Sequence, residues 1–274
     1  MRSLALLHGL GRCGGTVIAR CLACMDNVVL LSEIHPLGPS FINARNPGAG
    51  MQFNAVAQAA AWYQFLFKAG DEDWIKQQAQ ADNSVESLEY IAQRVNEGGM
   101  HLVVRTWPSM DFFSDPFGQQ PSYRLQQWED MARLFDVHEA FVQRHPITQY
   151  LSMINSGVAY ARLKEPARAH GYLKGYRKFA ELAVRGKYIK YEDFIRAAQP
   201  TMTTLTNYLR VPYDAQFVNK WNQYHQITGD TKRMASDTIR KVNDYRLDPA
   251  MQRLFQDSED YQMAIRLLNY PPAL

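Results

Sequence analysis

No apolar run in this sequence approaches the about 20 residues that a membrane span needs. The run Leu4–Leu7 is too short for a signal-peptide core, and a glycine turn with Arg12 comes directly after it. No membrane association and a cytoplasmic location are therefore expected. The net charge is only +3, too small to argue for a nucleic-acid partner. There are three cysteines, Cys13, Cys21 and Cys24. Cys21-x-x-Cys24 has the spacing of a redox pair or half a metal site, but no second ligand pair comes later in the chain. Helix-packing thiols and no bound metal are the expectation. Internal repeats, low-complexity tracts and clear linkers are also lacking, so one domain over residues 1–274 is expected. Apolar residues at 46% and charged residues at 21% exclude global disorder.

What the chain does have lies near its start. Leu4-Ala5-Leu6-Leu7 reads as a buried strand. Gly9, Gly11, Arg12, Cys13, Gly14, Gly15 and Thr16 come next, and then Val17, Ile18, Cys21 and Leu22 recur at helical spacing. A strand, a glycine turn and a helix N-terminus together hold anions. The first helical N–H groups lack internal partners, and glycines let a phosphate approach them. Arg12 adds full charge and Thr16 a hydroxyl. Two templates overlap on this loop. Gly9-x-Gly11-x-x-Gly14, with Glu33 after the second strand, fits a dinucleotide fingerprint and an NAD(P)-dependent oxidoreductase. Gly9-x-x-x-x-Gly14-Gly15-Thr16 fits a P-loop in which glycine replaces lysine, which counts against ATP or GTP use.

Further strands are expected at Val28–Ser32, His101–Trp107, Ala140–Arg144 and Lys187–Tyr191. Helices are expected over Ala55–Ala69, from a capping box at Asn83-x-x-Glu86 to Gly98, from Ser122 to about Phe135, from Pro146 to about Ala161 and from Pro166 to about Arg185. Residues 36–50 are rich in proline and glycine and read as a long irregular segment. The alternation predicts an α/β fold, a parallel sheet in three layers with helices on both faces. In such sheets ligands gather at the C-terminal strand ends. Arg144 ends a strand there and Ser152 lies two turns into the next helix, a second anion site.

Together these stretches resemble the sulfotransferases that use 3′-phosphoadenosine-5′-phosphosulfate (PAPS). Arg12-Cys13-Gly14-Gly15-Thr16 is similar to their donor loop, basic-Ser-Gly-Thr-Thr, with Cys13 and Gly15 as departures. Arg144, Pro146 and Ser152 match their 3′-phosphate motif, an Arg-x-Pro with serine eight positions after the arginine. Tyr191-Glu192-Asp193 and the late polar loop Gly229-Asp230-Thr231-Lys232-Arg233-x-x-Ser236 stand in family order. The resemblance implies the P-loop-like sulfotransferase fold. It also implies PAPS as donor and a small-molecule or glycan hydroxyl or amine as acceptor. Donor contacts would come from Gly11, Arg12, Cys13, Gly14, Gly15, Thr16, Arg144, Ser152 and Arg233. Arg12 would act on the leaving phosphate, and Arg105 would contact the moving sulfonate.

Trp107 stands where the small-molecule branch has its basic histidine, and indole accepts no proton. Several branches use a glutamate after the second strand instead, and Glu33 occupies that place. His35 is the second candidate base. Glu33 also reads as a structural carboxylate paired with Arg12 or Arg105. His8 and His101 read as satisfied strand-end residues. A non-catalytic nucleotide-binding protein of the same fold stays open beside the enzyme.

Overall fold

A computed structural model describes residues 2–114, 117–125, 128–156, 164–229, 239 and 246–271. Among the described residues five strands form one sheet: β1 (Arg2–Gly9), β2 (Val28–Ile34), β3 (His101–Thr106), β4 (Phe135–Gln143) and β5 (Tyr188–Lys190). Every pairing is parallel and the order is β2-β3-β1-β4-β5. This order decides against the dinucleotide template. That fold places β2 beside β1 so that the acid at its end reaches the ribose; here β3 stands between them.

Parallel strands need both faces covered, and β1 shows the two-residue rhythm that results. Leu4 and Leu6 face one layer, with Leu88, Ile91 and Val95 of the helix Val85–Glu97. Ala5 and Leu7 face the other, with Ile18, Cys21 and Leu22 of α1 (Gly15–Ala23) and Met202 and Leu205 of the helix Ala198–Leu209. Helices Ala167–Ala183 and Glu259–Leu267 pack a third, aromatic cluster around Phe141, Tyr172, Tyr176 and Phe179. Among the described residues no helix is long and apolar enough to cross a membrane.

Several elements differ from expectation, and residues 36–50, expected to be irregular, hold a short helix, Gly38–Asn43. Strand β4 starts at Phe135, five residues early, and the expected helix from Ser122 shrinks to Trp128–Leu134. The reason is pairing: β1 is matched along its whole length, from Arg2 opposite Phe135 to Gly9 opposite Val142. The helix Val85–Glu97 is capped by Ser84, whose hydroxyl accepts from the Ser87 N–H (3.1 Å), not by Asn83. Asn83 instead joins three segments, accepting from the Ala55 N–H (2.7 Å) and donating to the carbonyls of His35 and Phe53 (2.8 Å each).

The helix expected over Ala55–Ala69 ends at Trp62, giving α2 (Ala55–Trp62). Tyr63 leaves the helix because its hydroxyl is placed against the N–H and the carbonyl of Leu30 (3.1 Å each). Gln58 of α2 does the same for Ser32, accepting from its N–H and donating to its carbonyl, both at 2.7 Å. Strand β2 is the sheet edge, and two side chains thus occupy the backbone groups that another strand would take.

Candidate active site

The glycine loop is held from below by groups far away in sequence. The Gly11 N–H donates to Ser109 Oγ (2.8 Å), and its carbonyl accepts from Gln149 Nε2 (2.7 Å). Arg12 and Gly14 take left-handed backbone, with φ of 66° and 91°. Gly14 is the N-cap of α1, which has no side-chain cap and no acid in its first turn. That end therefore keeps its partial positive charge for an anion. A Cβ on Gly14 would lie 2.2 Å from the Tyr191 ring. Gly14→Ala is thus expected to cost about 3 kcal/mol through overpacking and left-handed strain, read as a lower unfolding midpoint. An unchanged midpoint would contradict this packing.

Two clusters stand over the sheet. In the first, Arg12 Nε donates to Ser152 Oγ (3.1 Å), and Arg144 Nη1 donates to the Arg12 carbonyl (3.1 Å). Arg144 Nε donates to Thr148 Oγ1 (3.2 Å), and its guanidinium lies 4.9 Å from the centre of the Tyr191 ring. The chain order Arg12, Arg144, Ser152 and Tyr191 is thereby folded into one patch. Glu192 is spent on structure: it accepts from the His145 N–H and from Tyr270 Oη, both at 2.9 Å. Burial lowers the basicity of His145.

In the second cluster, Arg105 Nη1 donates to Thr16 Oγ1 (3.1 Å) and Nη2 pairs with Glu33 Oε1 (2.7 Å). Strict alternation would put Ser32 and Glu33 on opposite faces of β2. A bulge intervenes: the register with β3 shifts between Ser32 and Ile34, and Glu33 has φ 57°. The extra residue turns the carboxylate towards the α1 side, where Arg105 lies. Left-handed backbone costs a glutamate about 1–2 kcal/mol, and the 2.7 Å ion pair helps to hold it there.

The whole structure is similar to the sulfotransferase domain from the Synechococcus PCC 7002 olefin synthase. The TM-score is 0.65 at 17% identity, over 97% of this chain and 93% of that one. It is similar also to the sulfotransferase domain from the curacin biosynthetic pathway, with TM-score 0.63 at 15% identity over 100% and 99% of the two chains. The fold is that of the sulfotransferases. No family model matches the chain, and no curated protein matches it in sequence.

Within this sulfotransferase fold the remaining candidates divide. Cys13 is 2% exposed and packs in the core below the loop. Burial pushes its thiol up to about 11, and its N–H is used by the Leu10 carbonyl (3.1 Å). The serine-to-cysteine departure therefore affects packing under the loop. Gly15 opens α1. His35 is buried, with Nδ1 accepting from the Leu37 N–H (3.2 Å) and Nε2 3.3 Å from Asp111 Oδ1. Both ring nitrogens thus face protein groups. Burial raises the Asp111 carboxyl, and His35 partly offsets this. Nδ1 of His8 lies 2.8 Å from Thr106 Oγ1. Arg233, Thr231, Lys232 and Ser236 lie outside the described residues. Trp107 stacks on Phe53 (5.1 Å) with Phe41 and Phe117 around it, while Phe112 and Phe113 are core.

Sequence reasoning missed Ser109 and Gln149, which anchor Gly11, and Thr228, whose hydroxyl donates to Ser32 Oγ (2.8 Å). No local pattern marks the first two. Thr228 opens the polar stretch before Arg233, the one signal available.

Proposed function

We propose that this chain is an enzyme that moves a sulfonate from PAPS to a hydroxyl or amine of a small molecule or glycan. The observation that carries it is the first cluster. Arg12 and Ser152 stand 140 residues apart and meet at 3.1 Å, and Arg144 braces the same loop. A nucleotide with phosphate at both ends supplies anions for both motifs. Arg144 and Ser152 would hold the 3′-phosphate; the α1 end, Arg12 and Thr16 would hold the 5′-phosphosulfate. Glu33 and Arg144 stand at the ends of strands three intervals apart, about 14 Å at the usual strand spacing. A ligand between them lies crosswise over the strand ends.

The chemistry rests on these places. Glu33 takes the proton as the acceptor oxygen or nitrogen bonds to sulfur. The bond from sulfur to the bridging oxygen breaks, and adenosine 3′,5′-bisphosphate leaves with the electron pair. Charge growing on that oxygen is stabilised by Arg12 and the α1 N-terminus. Glu33 is favoured over His35 as the base because both His35 nitrogens face protein partners.

Side-by-side calorimetric titration with adenosine 3′,5′-bisphosphate, NADH and ATP tests this. The bisphosphate is expected to bind tightest. Arg144→Ala is expected to weaken it about 10- to 100-fold, the loss of charge-assisted hydrogen bonds. Tighter binding of NADH or ATP would overturn the assignment. Bisphosphate binding without transfer to any acceptor would favour a nucleotide-binding protein that lacks catalysis.

A further inference from the structure

Arg105 is 5% exposed, and a buried guanidinium is costly unless its donors are matched. Both terminal nitrogens have partners. Nη1 serves Thr16 Oγ1 (3.1 Å), while Nη2 serves Glu33 Oε1 (2.7 Å) and the Thr228 carbonyl (3.4 Å). The next residue, Gly229, closes the side of this group with φ 104°. A Cβ there would come within 2.8 Å of Thr16 Oγ1 and 3.3 Å of both Arg105 Nη2 and Glu33 Oε1. The guanidinium is thus walled in, with its donors directed at the donor-loop threonine and the candidate base.

We infer that Arg105 is a positioning residue that acts on the reaction through Glu33, pinning the carboxylate to the first turn of α1, and that it does not itself grip the sulfonate. This rests on the proposed sulfonate transfer. Its physical content is a shared donor. Thr16 lies where the 5′-phosphate would sit, and Glu33 takes the acceptor's proton. One guanidinium sets the distance between them, so the base cannot drift without also loosening the threonine. The bulge at Glu33 alone would leave the carboxylate free to rotate.

The probes are adenosine 3′,5′-bisphosphate binding by calorimetry and release of labelled sulfate from PAPS to water. The variants are R105M, R105K, E33Q and the double variant E33Q/R105M, each checked by thermal unfolding. R105M is expected to slow release about 100-fold, the usual scale for a misplaced reacting group. The bisphosphate Kd should rise by less than about 10-fold, the loosening of the Thr16 contact alone, because its other anchors stay in place. R105K should recover part of the rate. The double variant should be no slower than E33Q, since residues acting through one group are not additive.

Additive losses would show that Arg105 acts apart from Glu33 and would overturn the inference. So would a collapse of bisphosphate affinity in R105M together with a lower unfolding midpoint. If the wild type binds bisphosphate but releases no sulfate, Glu33 activates nothing and the role of Arg105 falls with it. Failure of the wild type to bind bisphosphate at all would instead remove the sulfotransferase function itself.

Discussion

Glu33→Gln is expected to slow sulfonate transfer about 10²- to 10⁴-fold, the range for loss of a general base. The amide keeps the shape of the carboxylate and still accepts from Arg105, but it takes no proton. Bisphosphate affinity should change little, since Glu33 belongs to the second cluster and not to the patch around Arg144. The measurement is turnover with labelled PAPS beside the bisphosphate Kd. A loss below about tenfold would move the base elsewhere. His35 would not be the next choice without a rearrangement, because its nitrogens are engaged by Leu37 and Asp111.

Arg12→Ala carries the second large effect. Turnover is expected to fall about 10²- to 10³-fold, as when one donor is removed from a developing oxyanion. Bisphosphate affinity should fall less, about tenfold, for one lost charge-assisted bond. The asymmetry is the diagnostic part. Charge grows on the bridging oxygen only as the sulfur–oxygen bond breaks, so the guanidinium matters most at that moment. Alanine at this place removes the guanidinium that reaches Ser152 Oγ at 3.1 Å. Unchanged turnover would end the catalytic role of Arg12.

The glycine loop and the first three strands were legible because their cause is local. Apolar runs form buried strands, and closely spaced glycines turn tightly. Arg144 and Ser152 were picked out by their place at a strand end and two turns into the next helix, and the structure brings both onto Arg12. The rest depends on tertiary structure. The first half of β4, Phe135-Asp136-Val137-His138-Glu139, is too polar to read as a core strand. It becomes one because β1 pairs with it throughout. Glu33 could be placed at the end of β2 and its pairing with Arg105 weighed, but the bulge that aims it carries no glycine to announce it. The choice of Ser84 over Asn83 as helix cap turned on a contact with Ala55, 28 residues away. Pattern reading sees neighbours along the chain, and these decisions were made by neighbours in space.

Gln58 and Tyr63 have one more consequence. By occupying the outward hydrogen-bonding positions of Leu30 and Ser32, they finish the sheet on that side. A second molecule cannot add its own strand there to make a continuous ten-stranded assembly, and an extended peptide finds no backbone ladder to join. Among the described residues the sheet's other flank is the three-residue strand β5, so any pairing of strands between two copies would have to form there.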